Sequence, residues 1–220
     1  PQCSPWERVN LLKPTRDLQS FLDEVRRNHP DHILTFSETL PLDYTATALT
    51  MEMDRQGHMP ILYFEKLDGY DMPLVANLYA SREHIAWGLN TDLANLYPRI
   101  IQAIDNLLPA RRVETGPVQE VVWLGEEADL SRLPIPRHFE QDAGPYITAG
   151  MIAARDPDTG VGNLAYARLM LRGPRLLGAS IHSRQHLWDY HRRAELAEKH
   201  LEVAAVIGAH PSVMLAAAAK

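Results

Sequence analysis

Residues 146–181, "YITAGMIAARDPDTGVGNLAYARLMLRGPRLLGASI", constrain the fold more tightly than any other stretch of the chain. Their apolar runs are separated only by the turn sequences "DPDTG" and "RGP". Linkers that short suit hairpins and not crossovers, so the spacing predicts three short strands joined as hairpins. Pro134, Pro136 and Pro145 lie just upstream and favour a fixed extended path into the first run. Pro117 opens "PVQEVVWLG", which reads as a further apolar strand. Downstream, "QHLWDYHRRAELAEKH" reads as a helix, and "EVAAVIGAHPSVMLAAAAK" as a strand, a Gly-Ala-His-Pro turn and the start of an apolar helix.

The first half of the chain has a different rhythm. Leu18, Phe21, Leu22 and Val25 recur at helical spacing, with Thr15 or Asp17 placed to cap the helix. After the His29-Pro30 break, "HILTF" reads as a short strand and "DYTATALTMEMDRQG" as a helix. "MPILYFEKL" is strand-like, "DGYDMP" is turn chemistry, and "LVANLY" resumes extended character. Ser81 is placed to cap a helix over "SREHIAWGL", and Pro98 is expected at a helix start or kink in "DLANLYPRIIQAIDNLL". This order predicts an α/β layer over residues 1–112 and a second unit over residues 113–220.

A formal charge of −6 gives no support to a broad nucleic-acid-binding surface. Cys3 is the single cysteine, which excludes an intrachain disulfide framework and a cysteine-rich metal site and fits an intracellular, cytoplasmic protein. No run approaches the roughly 18 apolar residues of a membrane span, and "PQCSPWERVN" lacks the features of a signal peptide. The start at Pro1 and the close in "MLAAAAK" read as those of a processed or excised piece of a longer protein.

Two residues in "GVGNLAYARLML" are not required by hydrocarbon packing. Asn163 offers an amide oxygen that either satisfies the turn backbone or serves as a neutral metal ligand. Arg168 sits among Tyr166, Ala167, Leu169 and Met170, where a guanidinium must reach solvent, a structural ion pair or a bound anion. Residues five apart on a regular strand face opposite sides, so the two share a site only if Asn163 lies in the turn, a bulge intervenes or the site wraps the strand edge. His182 and His186 have i,i+4 spacing, which fits a metal pair or a solvated helix face. His138, Glu140 and Asp142 beside an Ala-Gly-Pro bend fit either a pocket entrance or a polar loop. "GVGN" and "GAHP" lack the strand, glycine loop and helix arrangement of phosphate-binding fingerprints.

Five segments in order, "GYDMPLVANLYASREHIAWGL", "LPIPRHFEQDAGPYITAG", "GNLAYARLMLRG", "SRQHLWDY" and "IGAHPSVMLAAA", make the chain resemble the N-terminal and early central part of the UbiD family of reversible (hydroxy)aryl and acrylic acid decarboxylases. The resemblance covers nearly the whole chain. It implies an α/β N-terminal domain followed by part of a split β-barrel flavin-binding domain. It also implies prenylated FMN, whose phosphate is held with a divalent metal, commonly Mn2+, and a nearby K+, on cofactor supplied by a prenyltransferase. By the same resemblance Asn163 and His186 are metal ligands, Arg168 orients the substrate carboxylate or the cofactor, and Leu164 and Ala165 contribute backbone groups. Gln185 lies close to the flavin and phosphate, while Ile147 and Thr148 line the cofactor cleft. Ala143 stands where the family often has a glycine. The implied reaction is nonoxidative decarboxylation of an aromatic, heteroaromatic or α,β-unsaturated carboxylic acid by a homo-oligomer. The family's metal carboxylate is expected a little beyond "IGAHP", with the proton-transfer acids farther on. The alternative is a noncatalytic flavin- or nucleotide-binding accessory module.

Overall fold

The computed structural model describes residues 17–110 and 113–219. Helix α1, Leu18–Asn28, starts at Asp17, whose carboxylate accepts the Ser20 N–H at 2.7 Å, while the Ser20 hydroxyl oxygen accepts the Asp17 N–H at 3.0 Å. Two first-turn donors are thereby satisfied. Thr15, the other capping residue suggested by the sequence, lies outside the described residues.

Strand β1, Ile33–Leu40, runs parallel to β2, Ile61–Leu67, with helix α2, Thr45–Arg55, as the crossover, and β3, Leu74–Ala76, pairs antiparallel with β2. Alternation along β2 divides its side chains. Ile61 and Tyr63 pack with Phe21, Leu22 and Val25 of α1, whereas Leu62 and Phe64 pack with Ala46 and Leu49 of α2. A strand covered on both faces reads as a continuous apolar run, as "ILYF" does. Helix α3, Arg82–Gly88, is capped by Ser81, whose Oγ accepts the His84 N–H at 3.2 Å. Pro98 falls in the first turn of α4, Leu96–Asp105, where it removes no intrahelical bond.

His84 is completely buried in this layer. Its Nε2 lies 3.3 Å from Nδ1 of His32, and Trp87 stacks on His29 with centroids 3.7 Å apart. Burial, reinforced by the neighbouring His32, pushes the His84 pKa down to about 4.

Residues 146–181 hold five strands where three were expected from sequence: β4, Tyr146–Ile147; β5, Met151–Arg155; β6, Gly162–Tyr166; β7, Arg168–Gly173; and β8, Leu176–Ser180. Helix α5, His186–Leu196, strand β9, Val203–Val206, and helix α6, Pro211–Ala218, follow. The extra breaks arise because the chain changes sheets twice. Strands β4, β7 and β8 form one antiparallel sheet, and β6, β5 and β9 form another. The chain switches at 148–150 and again at Ala167, and the Ala167 N–H donates to the Gly150 carbonyl at 3.0 Å across the corner. Gly150 is tightly enclosed: a Cβ would lie 3.1 Å from Leu169 and 3.2 Å from Ile147, so those side chains would have to shift by a few tenths of an ångström to admit one. Ile147, Ile152, Ala154 and Leu169 from both sheets share one core with Leu187 and Tyr190 of α5. The sheets stay open, with no closed barrel among the described residues.

The strand expected over "PVQEVVWLG" is absent. Pro117–Gln119 forms a 3-10 turn, and Val118, Val121, Val122 and Leu124 are exposed. A strand needs a neighbour for its backbone groups, and no described strand lies alongside this one. The two halves meet where α3 packs on α6: a Cβ on Gly88 would lie 2.7 Å from the Pro211 ring, so glycine permits this approach.

His84 makes the stability of this layer sensitive to pH. The unfolded chain takes up a proton near pH 6.5 that the folded chain refuses until about pH 4, so stability is full above 6.5 and falls as the pH drops. Urea unfolding of the protein is expected to show a falling midpoint between pH 6.5 and 5, and His84→Phe should flatten that slope.

Candidate functional site

The β5–β6 turn is built by Asp156, whose Oδ1 accepts the N–H groups of Asp158 at 2.9 Å and Thr159 at 3.1 Å. Gly160 closes the turn in the left-handed region at φ +74°. The backbone of this turn is therefore served by Asp156 and not by Asn163. Asn163 lies within β6, opposite Ala154. Cross-strand partners share a face. Ala154 and Ile152 point toward Leu187 and Tyr190, so Asn163 and Ala165 lie on the α5 side, while Leu164 and Tyr166 pack near Met214 of α6. The Asn163 Nδ2 is buried with no hydrogen-bond partner among the described residues. Turning the amide over brings its oxygen to the same position, which suits a cation as well as a donor. Strand β6 is also the edge of its sheet, and one side of its backbone pairs with no described strand. Leu164 and Ala165 are thus on an edge that can offer backbone groups.

Helix α5 begins beside this strand, and the two elements pack together. Gln185 precedes the first turn without capping it through its side chain, whose Oε1 instead accepts the His182 N–H at 3.4 Å. An uncapped eleven-residue helix presents N–H groups and a positive dipole end that favour phosphate. His186, the first helical residue, is exposed and stacks on Tyr190 with ring planes 12° apart. His182 lies outside the helix and accepts the Arg184 N–H at 3.2 Å, so the i,i+4 histidine pair of the sequence does not share a helical face.

Arg168 opens β7, beyond the corner at Ala167, in a different sheet from Asn163. The strand parity that separates them in sequence is thus broken by a change of sheet. Arg168 is exposed and, among the described residues, makes no ion pair. The structural ion pair is not found, which leaves solvent or an anion for the guanidinium. Ile147 is buried in the shared core, whereas Thr148, at the corner, is exposed. Ala143 is exposed and does not require positive φ, so replacing a glycine there costs no backbone strain.

His138 acts as a tie between the halves. Its Nδ1 lies 2.9 Å from Thr47 Oγ1 on α2 and its Nε2 3.1 Å from the Tyr146 carbonyl oxygen, while Asp142 accepts the N–H groups of His138 and Phe139. A groove of about 540 Å3, lined by Phe21, Val25, His29 and Trp87 among others, lies on the first layer and includes no residue of β6 or α5. No group of three His, Cys, Asp or Glu side chains able to hold a metal occurs among the described residues.

One polar centre was not singled out by the sequence. Arg193 of α5 donates to both carboxylate oxygens of Asp156, at 2.8 and 3.0 Å, to Asp189 at 2.9 Å, and to Asp158. This guanidinium holds the Asp156 carboxyl well below the usual carboxylate range. The Asp189 and Arg193 i,i+4 spacing was available as a signal. The reach to Asp156 was not, because it depends on how the hairpin folds back on α5.

Residues 27–104 match the 3-octaprenyl-4-hydroxybenzoate carboxy-lyase N-terminal domain, and residues 111–220 match the Rift-related domain of the same carboxy-lyase. The chain is 35% identical over 199 residues to the anhydromevalonate phosphate decarboxylase of Methanothermobacter thermautotrophicus, covering 90% of this chain and 44% of that protein. It superposes at a TM-score of 0.86 and 34% identity on an evolved dimeric form of the UbiD-class enzyme HmfF from Pelotomaculum thermopropionicum in complex with prFMN, covering 94% of this chain and 47% of that one. An apo 3,4-dihydroxybenzoic acid decarboxylase from Enterobacter cloacae superposes at 0.82 with 25% identity, covering 93% of this chain and 45% of that one. The chain thus spans a little under half the length of these relatives. Among the described residues no helix is long and apolar enough to cross a membrane. With both halves matched in order and the fold shared along nearly its whole length, the chain belongs to the UbiD family of prenylated-FMN-dependent decarboxylases, corresponding to its N-terminal and early central region.

Proposed function

We propose that this chain provides part of the cofactor- and metal-holding site of a nonoxidative decarboxylase for an aromatic, heteroaromatic or α,β-unsaturated carboxylic acid, with prenylated FMN, Mn2+ and K+ as its bound groups. The observation that carries the reading is the Asn163 amide nitrogen, buried and without a hydrogen-bond partner among the described residues, on the β6 face toward α5, the helix that begins with His186. Asn163 supplies an oxygen and His186 a ring nitrogen to the metal, and the remaining ligands come from phosphate oxygens and from a carboxylate outside the described residues. The uncapped start of α5 at Gln185 receives the phosphate, and the edge of β6 at Leu164 and Ala165 offers backbone groups to the flavin. Ile147 and Thr148 border the cleft from the corner. When bound, prenylated FMN supplies the electron sink for the pair left behind as carbon dioxide departs.

Arg168 orients the substrate carboxylate through its unpaired guanidinium. Its role is to position charge, not to donate the proton that replaces carbon dioxide. That proton comes from a carboxylic acid outside these residues. The same reading makes residues 1–112 and 113–220 two domains of a cytoplasmic homo-oligomer whose cofactor is delivered by a prenyltransferase.

Asn163→Ala and His186→Ala are each expected to weaken Mn2+-dependent retention of prenylated FMN by about tenfold or more. Retention unchanged in both variants would remove the proposed metal roles. In cofactor-free protein, Asn163→Leu should leave urea stability unchanged or raise it by about 1 kcal/mol, because it removes a buried polar group that has no partner. A clear loss of stability would instead assign Asn163 a structural bond. Carbon dioxide release from a panel of aryl and acrylic acids by the native, cofactor-loaded protein tests the reaction itself.

A further inference from the structure

Resting on the metal-site reading above, we propose that Arg193 is a positioning residue that fixes Asn163 and His186 relative to each other. The two belong to separate elements, a hairpin strand and a helix, so their spacing depends on whatever couples those elements. Arg193 lies on α5 and holds both oxygens of Asp156 at 2.8 and 3.0 Å, a bidentate pair with defined orientation. Asp156 in turn organises the β5–β6 turn, and its own N–H donates to the Val161 carbonyl at 2.8 Å, two residues before Asn163.

The same side chain also reaches toward His186. Residues 186, 190 and 193 fall along one stripe of a helix at 3.6 residues per turn. Tyr190 lies between the other two: its ring stacks near His186 with centroids 6.4 Å apart, and the Arg193 guanidinium carbon lies 5.4 Å from its centroid. The bond from Arg193 Nε to Asp189 at 2.9 Å fixes the guanidinium on its own helix, so the fork points at the turn without a rotamer search. The pair is only partly accessible, with 28% of the Arg193 side chain and 14% of the Asp156 side chain exposed. That shielding makes it more than a solvated surface contact. One guanidinium therefore connects the hairpin carrying Asn163 to the ring that supports His186.

The test measures FMN affinity by flavin fluorescence, with and without Mn2+, on the full native chain, together with urea unfolding. Arg193→Met should reduce the Mn2+-dependent gain in FMN affinity about tenfold while Mn2+-free affinity holds, as expected when support for a metal ligand is lost. Asp156→Asn keeps an oxygen for the turn N–H groups but loses the charged two-oxygen grip; it should give the same loss and serves if Arg193→Met does not fold. Arg193→Lys should restore only part of the gain, because an ammonium cannot reproduce the fork. A lowered urea midpoint with the Mn2+-dependent gain intact in both Arg193→Met and Asp156→Asn would overturn the positioning role. If the unmodified protein shows no Mn2+-dependent gain, or Asn163→Ala leaves that gain untouched, the metal-site reading fails and takes this role with it.

Discussion

At the corner between the two small sheets, the Ala167 N–H reaches the Gly150 carbonyl at 3.0 Å, and the strands on either side of that bond change partners. Strands β4 and β7 pair with each other below the corner, β5 and β6 above it, so two hairpin arms pass through one crossing point. Sheets that meet through strands switching at a bend bring side chains of both onto a common interior, here Ile147, Leu169, Ile152 and Ala154. Glycine at 150 lets Leu169 and Ile147 close tightly over the corner. It also decides where the polar residues go. Arg168 emerges on one side of the bend and Asn163 stays on the other, facing the helix that fills the angle.

Much of this was legible in the residues where a local rule was sufficient. The helical spacing of Leu18, Phe21, Leu22 and Val25, the strand over "ILYF", the Ser81 cap and a helix over "HLWDYHRRAEL" each depend on neighbours in sequence, and each is present. The three-strand reading of residues 146–181 failed at Thr148 to Gly150 and at Ala167, because nothing in an apolar run marks the residue at which a strand leaves one sheet for another. "PVQEVVWLG" failed for the opposite reason: its β-branched content is real, but the neighbour that would turn propensity into a strand is not among the described elements.

The site divides in the same way. Asn163, Arg168 and His186 stood out as polar exceptions or by resemblance, whereas their separation by a change of sheet and the missing partner of the Asn163 amide required the fold. Arg193 does not stand out in sequence because His191, Arg192 and Arg193 together look like a solvated helix face. Only the returning hairpin, with Asp156 and Asp158 at its tip, distinguishes Arg193 from its neighbour Arg192.

The exposed apolar segment from Val118 to Leu124 bears on how the polypeptide behaves in concentrated solution. Copies of a chain with formal charge −6 repel one another, and that repulsion acts over roughly 8 Å at physiological ionic strength. Added salt shortens this range but leaves the attraction between apolar strips in place. For this stretch of chain taken by itself, added salt therefore weakens the charge repulsion between copies while the pull between apolar strips remains.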